Sequence, residues 1–156
     1  MGQIDLRKGR LKEAENNYHR ALYYDKDMCL SPIGLGDKYV MEEKLGNADE
    51  YFNKAINCDK NLCYGHFKLG NLLLARNQQE LAIGSYKNAV QCSPENTFFV
   101  YVLARAYENK NRYCDAISLY RNLYDILKKS GNHEYRSQLD YIMKYINTGE
   151  QQYTCN

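Results

Sequence analysis

The sequence predicts an all-α protein built from antiparallel helix pairs that stack as a solenoid. Two observations favour this fold class: the chain has only two prolines, and apolar stripes recur at helical spacing. A third is internal repetition with a period of about 34 residues. A chain with so few helix breakers can be helical nearly throughout. A helix pair that recurs at a fixed period buries its apolar face by stacking on the next pair.

The composition fits a folded chain without a strong charge bias. Hydrophobic residues make up 44% and charged residues 26%, which is not typical of disordered proteins. The formal net charge of +2 gives no reason to expect nucleic acid or anionic lipid as a partner. No apolar stretch approaches the ~20 residues that a membrane-spanning helix needs. Since no signal-peptide pattern follows Met1, we expect a cytoplasmic or nuclear protein.

Four series of positions recur with this one period, and each series keeps one kind of side chain. The first is small, the second is alanine throughout, the third is aromatic, and the fourth is alanine until its last member. In chain order they are Gly2, Gly36, Gly70 and Ala104; Ala14, Ala48, Ala82 and Ala116; Tyr18, Phe52, Tyr86 and Tyr120; and Ala21, Ala55, Ala89 and Leu123. Because two helices approach closely only where side chains are small, these series predict helix pairs in close contact.

The motifs around these series resemble the tetratricopeptide repeat (TPR), a helical hairpin of the same period. The first-helix core of that family, Leu-Gly-x-x-Tyr, is found at Leu35-Gly36-x-x-Tyr39, with variants that begin at Leu69 and Leu103. The second-helix core, Ala-x-x-x-Phe, corresponds to the alanine and aromatic series. The resemblance covers about residues 1 to 128. It implies a right-handed superhelical solenoid of helix pairs with a concave groove.

The register of the motifs divides the chain into segments and predicts where the helices lie. We expect a partial first repeat, three complete repeats, a capping helix and a flexible tail, at residues 1–26, 29–62, 63–96, 97–130, 131–147 and 148–156. The helices are expected at 11–25, 30–44, 47–59, 63–76, 79–92, 97–110 and 113–129. Ser31-Pro32 predicts an N-cap followed by proline. Asn47 and Asn77 are expected at turn or cap positions between paired helices, and Gly46 can end the helix before Asn47.

The two ends of the chain differ from the inner repeats. The first repeat keeps only a stub of its first helix, so we expect further repeats to precede Met1 in a longer protein. After residue 130, apolar residues recur at spacings of four, three and four, which predicts an amphipathic helix. These residues are Tyr135, Leu139, Ile142 and Ile146. The helix resembles the solvating helix that caps the last repeat of TPR proteins.

Six cysteines lie along the chain without the Cys-x-x-Cys pairs that zinc sites favour. They are Cys29, Cys58, Cys63, Cys92, Cys114 and Cys155. In the absence of a secretory signal we expect reduced thiols, which behave as small and partly buried hydrophobic side chains. The sequence therefore predicts neither a metal site nor a cofactor.

The resemblance implies that the first helix of each repeat lines the concave groove, where ligands of the family usually bind. By register, the candidate partner-binding residues are Ile33, Asp37, Tyr64, Phe67, Lys68, Asn71, Phe98, Tyr101, Val102 and Arg105. The four aromatic members would form a patch of the kind that marks binding sites. The alternative for each of these aromatic side chains is packing between adjacent repeats.

One ligand class of the family is disfavoured by the residues in the groove. Some TPR proteins hold the acidic C-termini of heat-shock chaperones in a clamp of Lys, Asn and Arg side chains. The corresponding places here hold Ile33, Asp37, Lys68, Phe98 and Val102. Only Lys68 is basic, and Asp37 would repel a carboxylate.

No catalytic pattern is present, so we expect no enzyme activity. His19, His66 and His133 are scattered, and none has a Cys or Ser nucleophile at a recognised spacing. The leading hypothesis is a protein-interaction module that holds an extended peptide or an amphipathic helix in its groove. One alternative is an architectural segment of a multi-subunit assembly, similar to cell-cycle ubiquitin-ligase or ciliary transport subunits, which self-associates through its solenoid ends. Another is a substrate-selecting arm of a larger enzyme, such as a TPR-containing glycosyltransferase.

Overall fold

The computed structural model describes residues 16–17, 29–131, 136–153 and 155, which form helices and turns without any strand. Seven helices lie within the described residues from 29 onwards: α1 (Ser31–Met41), α2 (Leu45–Cys58), α3 (Cys63–Ala75), α4 (Gln79–Cys92), α5 (Thr97–Asn109), α6 (Tyr113–Lys129) and α7 (Arg136–Tyr153). The expected first repeat at 1–26 and its helix at 11–25 lie outside the described residues, apart from Asn16 and Asn17, which are helical. The prediction of an all-α fold of paired helices is confirmed.

The helix boundaries differ from the prediction at the start and at the end of α1. This helix begins at Ser31 itself, with Leu30 in the N-cap position and no side-chain cap, whereas the sequence predicted Ser31 as the cap. Gly46 was expected to end the preceding helix and Asn47 to lie at a turn or cap position, but both lie in the first turn of α2. The helix therefore ends without a glycine, because another residue takes up the left-handed backbone conformation.

The turn inside each helix pair places one residue in the left-handed region, and these residues recur with the period of the repeat. They are Glu43, Asn77 and Asn111, with φ of 59°, 63° and 57°. In the second turn, the Asn77 amide donates to the carbonyl of Leu74 and the Gln78 amide donates to that of Leu73, each at 2.9 Å. This pairing is the Schellman motif, which satisfies carbonyls at the end of a helix. Asn tolerates the conformation well, whereas Glu at position 43 is an unusual choice.

The chain divides into two compact units, residues 1–85 and residues 86–156, and each is described by itself. In the first unit α1 packs on α2, and α2 packs on α3. Their buried core consists of Ile33, Ala48, Phe52, Ala55 and Leu72. A Cβ atom at Gly36 would overlap the ring of Phe52, with the ring Cζ only 2.9 Å away. Glycine at this position therefore lets α1 lie directly against the aromatic ring of α2.

In the second unit α5 packs on α6, and α6 packs on α7. Ala104 on α5 and Ala116 on α6 are fully buried, and Tyr120 and Leu123 are nearly so. All members of the four periodic series that fall within the described residues are buried. The prediction that these positions form the close contacts of the helix pairs is confirmed.

The last helix is longer than the sequence predicted. The capping helix was expected to end at 147 and a flexible tail to follow, but α7 continues to Tyr153. Gly149 lies against the side chain of Ile117, where a Cβ atom would come within 3.2 Å of Cγ1. The ring of Tyr153 stacks on that of Tyr113, with the centroids 4.2 Å apart. These contacts with α6 stabilise the extended helix. Residues 148–153, which were expected to form part of a flexible tail, are therefore helical.

The apolar stripe predicted for this helix faces the core over most of its length. Ile142 and Ile146 are buried, and Leu139 is half-buried. Tyr135, the first residue of the predicted stripe, lies outside the described residues. The stripe therefore marks the face with which α7 covers the last helix pair.

Disulfide bonds hold helix ends in both units, and the expectation of reduced thiols is wrong. Cys29, which precedes α1, is bonded to Cys58 at the end of α2, with a Cα–Cα distance of 5.4 Å. Cys114 in the first turn of α6 is bonded to Cys155 beyond α7, with a Cα–Cα distance of 5.3 Å. All six cysteines lie within the described residues, and none of them is free. Closing a loop of about 30 residues in the unfolded chain stabilises a fold by ~3–4 kcal/mol.

The close contact at Gly36 can be tested by adding one methyl group. We expect Gly36→Ala to lower the free energy of unfolding by ~1–3 kcal/mol, because the new Cβ atom would displace the ring of Phe52. Gly84→Ala is the matched control, since no atom lies within 4 Å of a Cβ atom there. Its higher helix propensity should raise stability by ~0.5–1 kcal/mol. Urea unfolding followed by circular dichroism measures both effects, and equal effects would contradict the close packing at Gly36.

Candidate functional site

A cavity of about 510 Å³ opens between α5, α6 and α7 in the second unit. Its ten lining residues come from all three helices: Thr97, Phe98, Tyr101, Tyr120, Leu123, Leu127, Ser137, Gln138, Tyr141 and Ile142. Seven of these side chains are aliphatic or aromatic, and the other three are uncharged and polar. Ligand-binding cavities usually have volumes of ~300–1,000 Å³ and a mainly apolar lining with a few polar groups.

Three aromatic side chains at this cavity are exposed to solvent. Phe98 is 53% exposed, Tyr101 is 45% exposed and Tyr141 is 66% exposed, whereas Leu123 and Leu127 are buried. The cavity therefore has an exposed aromatic rim and a buried aliphatic base. Single exposed apolar residues are ordinary on protein surfaces, but several that surround one concave site mark an interaction surface.

The carboxylate of Glu108 links the three helices that form the cavity. It lies on α5, accepts a hydrogen bond of 3.0 Å from the hydroxyl of Tyr120 on α6, and also accepts one from Tyr145 on α7. Arg105, one turn earlier on α5, forms an ion pair of 2.9 Å with the same carboxylate. A charged acceptor shared by two phenols and a guanidinium is a strong cross-link between helices. The network fixes Tyr120, which lines the cavity.

The Glu108 network also changes the titration of its members. Burial raises the pKa of the Tyr120 phenol, and the negative charge of Glu108 raises it further. Burial also raises the pKa of Tyr145, and the hydrogen bond to Glu108 and the charge of that carboxylate raise it further. The charge of Glu108 raises the pKa of Arg105. Both phenols therefore remain protonated hydrogen-bond donors, and Tyr120 also packs edge-on against the rings of Tyr101 and Tyr145 at 6.3 and 4.8 Å.

The structure distributes the candidate residues of the second unit between the cavity and its surroundings. Phe98 and Tyr101 line the cavity. Val102 is half-buried on the same helix. Arg105 is exposed, and its charge is matched by Glu108.

In the first unit, two candidate residues of opposite charge pair with each other. The Nζ atom of Lys68 on α3 lies 2.9 Å from a carboxylate oxygen of Asp37 on α1 and 5.1 Å from the centroid of the Tyr64 ring. Burial acts to lower the pKa of Lys68, but the hydrogen bond and charge of Asp37 outweigh it, so the pKa is raised. The one basic group in the clamp positions is therefore already paired, which further disfavours a ligand with a terminal carboxylate.

Two candidates of the first unit are buried and do not present their side chains at a surface. Ile33 is 2% exposed because it packs in the core with Ala48 and Phe52, so its expected place in the groove lining is wrong. Phe67 is buried as well, with its ring 5.8 Å from that of Tyr64. Asn71 is exposed on α3.

The residues that α7 contributes to the cavity were missed from the sequence. The start of α5 at Thr97 and that of α7 at Arg136 lie further apart than one repeat, whereas α3 and α5 start exactly one repeat apart. When the starts of α5 and α7 are aligned, Ser137 and Tyr141 take the places of Phe98 and Val102. The apolar stripe of α7 indicated that this helix packs against the last repeat. The register of the repeats does not extend to α7, so it could not indicate which of its residues line the cavity.

Metal binding and membrane insertion find no support in the described part of the chain. No three His, Cys, Asp or Glu side chains come together there as ligands for a metal ion. None of the helices described is both long enough and apolar enough to cross a bilayer. The cavity next to α7 is the leading candidate site because of its apolar lining and its exposed aromatic rim.

Comparisons with known proteins agree with the fold. Residues 100–134 match the family model of the tetratricopeptide repeat. The chain has no significant match among curated protein sequences. A crystal structure of MamA is similar over 97% of this chain and 93% of its own, with a TM-score of 0.69 and 20% identity. YrrB, described as a TPR protein with an unusual peptide-binding site, is similar over 99% of this chain and 85% of its own, with a TM-score of 0.64 and 18% identity.

A third similar structure is that of SycD, the type III secretion translocator chaperone of Yersinia enterocolitica. It covers 80% of this chain and 91% of its own, with a TM-score of 0.62 and 17% identity. At these identities the likeness concerns the fold. The helix pairs described above therefore have the fold found in proteins with tetratricopeptide repeats.

The hydrogen bond between Tyr120 and Glu108 makes a prediction about stability and its dependence on pH. We expect Tyr120→Phe to lower the free energy of unfolding at pH 7 by ~1–2 kcal/mol, because it removes a donor to a charged carboxylate. The pKa of Tyr120 is higher in the folded chain than its unfolded value of about 10. Its stabilising contribution is therefore complete below about pH 10 and is lost as the pH rises further.

Urea unfolding at neutral pH and at about pH 10.5 measures both parts of this prediction. The wild-type protein should lose more stability on this change of pH than the Tyr120→Phe variant. An equal loss in the two proteins would show that the phenol is not held protonated by its surroundings.

Proposed function

We propose that this chain, which has the fold of tetratricopeptide-repeat proteins, binds a partner protein through the cavity between α5, α6 and α7. The ligand is an extended peptide or an amphipathic helix of that partner. The observation that carries the proposal is the exposure of Phe98, Tyr101 and Tyr141 around one apolar cavity. Exposed aromatic residues beside a pocket are the usual anchors of protein–protein recognition.

The lining of the cavity indicates the chemistry of the ligand. None of its ten residues carries a charge at neutral pH, and Arg105 nearby is paired with Glu108. Apolar side chains of the ligand would fill the base formed by Leu123 and Leu127. Uncharged polar groups at positions 97, 137 and 138 can exchange hydrogen bonds with the ligand backbone. Binding should therefore depend only weakly on salt, in contrast to binding by a clamp of cations.

Similar structures support a role in protein binding. YrrB is described as having a peptide-binding site, and SycD is a chaperone. The repeat boundaries that we propose, 29–62, 63–96 and 97–130, each contain two consecutive observed helices. Within this proposal the chain binds a protein and does not itself catalyse a reaction.

Cellular location belongs to the same proposal. The sequence predicted a cytoplasmic or nuclear protein because no signal-peptide pattern was found, and reduced cysteines were expected as a consequence. The cysteines are instead disulfide-bonded, which argues against that location.

The proposal is tested by selecting peptides from a random library displayed on phage, with the wild-type protein as bait. Selected peptides should contain at least two large apolar residues, because the cavity offers an aliphatic base and an aromatic rim. Phe98→Ala and Tyr101→Ala should each weaken binding of a selected peptide at least about tenfold in isothermal titration calorimetry, since each removes an anchor.

Leu81→Ala is the matched control for these two variants. Leu81 is a large apolar residue on α4 with an exposed side chain, but it does not line the cavity. Its substitution should leave the affinity unchanged, and circular dichroism verifies that all variants fold. Unchanged affinity of both Phe98→Ala and Tyr101→Ala would contradict the proposal, as would an equal loss in the control.

A further inference from the structure

The Cys29–Cys58 bond joins two helix ends that no turn connects. Cys29 precedes α1 and Cys58 is the last residue of α2, whereas the turn at Glu43 connects the other ends of the same helices. The helix pair is therefore covalently closed at both ends. Such a bond prevents the two helices from separating at the end where they would otherwise fray first.

Cysteines at this position recur with the period of the repeat. The equivalent positions, one repeat apart, are Cys29 and Cys63 before or at the start of a first helix, and Cys58 and Cys92 at the end of a second helix. All four are disulfide-bonded. One repeat further along the chain, Thr97 stands at the position equivalent to Cys63, and Ile126 stands at the position equivalent to Cys92. Cysteines that follow the repeat in this way, with none left free, form a structural framework.

The second unit uses its disulfide bond differently. Cys114 in the first turn of α6 is bonded to Cys155, two residues beyond the end of α7. The bond therefore holds the C-terminal end of α7 against α6, next to the stacked rings of Tyr113 and Tyr153. The same helix contributes Tyr141 to the rim of the cavity.

We propose that the protein acts in an oxidising compartment and that the Cys114–Cys155 bond is a covalent clasp that keeps α7 in place. Structural disulfides persist in oxidising compartments and are rare where glutathione and thioredoxin keep thiols reduced. Any effect of the clasp on ligand binding rests on the proposed function of the cavity. The bond itself and its effect on the position of α7 are independent of that function.

The clasp forms and opens by thiol–disulfide exchange. On closing, Cys114 and Cys155 together lose two protons and two electrons and form one S–S bond. An exchange partner that carries a disulfide accepts the electrons and protons and becomes two thiols. On opening, a dithiol reductant reverses the reaction, its own two thiols form a disulfide, and the end of α7 is released from α6.

The first test is the oxidation state of the natural protein. Free thiols are trapped with N-ethylmaleimide as the source cells are lysed, and the full chain is then purified without reductant. We expect a non-reducing peptide map to link the Cys114 peptide to the Cys155 peptide, with no adduct on either cysteine. An N-ethylmaleimide adduct on Cys114 or Cys155 in the bulk of the protein would overturn the proposal.

The second test is amide hydrogen exchange along α7, which needs no ligand. Treatment with a phosphine reductant should accelerate exchange of the amides of residues 147–153 at least about tenfold. Reduction also opens the bond at Cys29, so the double variant Cys114→Ser/Cys155→Ser is measured without reductant to test the clasp alone. It should show the same acceleration, and unchanged exchange in this variant would overturn the clasp. Neither test uses peptide binding, so failure of the proposed function would appear separately.

Discussion

The close approach of two helices at a residue without a side chain is the contact on which the rest of each helix pair depends. Gly36 on α1 lies against the ring of Phe52 on α2, at a distance that no Cβ atom would allow. On the same helix, Ala48 precedes Phe52 by four residues and Ala55 follows it by three, and both alanines are also fully buried. The buried core of the pair also contains the aliphatic side chains of Ile33 and Leu72. Only the residues of a first helix that lie outside such a core are free to contribute to binding.

The second unit shows what this freedom allows. Ala104 and Tyr107 of α5 are buried, whereas Phe98 and Tyr101 of the same helix are exposed at the cavity. Glu108 on α5 accepts hydrogen bonds from the hydroxyls of Tyr120 on α6 and Tyr145 on α7. The three helices that form the cavity are therefore cross-linked by polar as well as apolar contacts. An apolar surface on a rigid scaffold loses little conformational freedom when it binds, and this favours recognition.

Much of the fold could be predicted because its determinants are local or strictly periodic. The periodic series located the helix pairs, and the burial of Ala82, Ala116 and Phe52 follows directly from them. Phe98 and Tyr101 were placed in the groove by the register of the family resemblance, and both line the cavity. Ile33 was placed in the groove by the same register, but its side chain packs in the core of its own pair.

The remaining features depend on contacts between residues that are distant in the sequence or on a change of register. The partners in the two described disulfide bonds are 29 and 41 residues apart, and no local pattern indicates which cysteines will meet. The longer spacing before α7 concealed the role of Tyr141, because the connecting segment can vary in length without affecting the helix pairs. Glu43 shows a third limit. Its left-handed conformation is imposed by the hydrogen bonds that end α1, and its residue type gives no sign of it.

The most direct test of the central claim, that the cavity of the second unit accepts apolar side chains, is a titration with N-acetyl-tryptophanamide followed by amide chemical shifts. This probe carries one large aromatic side chain and no net charge. We expect the shift changes to be concentrated at Phe98, Tyr101 and Tyr141 and at their neighbours on α5 and α7, and to be largely independent of salt. Shift changes that are absent, or that are concentrated in the first unit, would contradict the account.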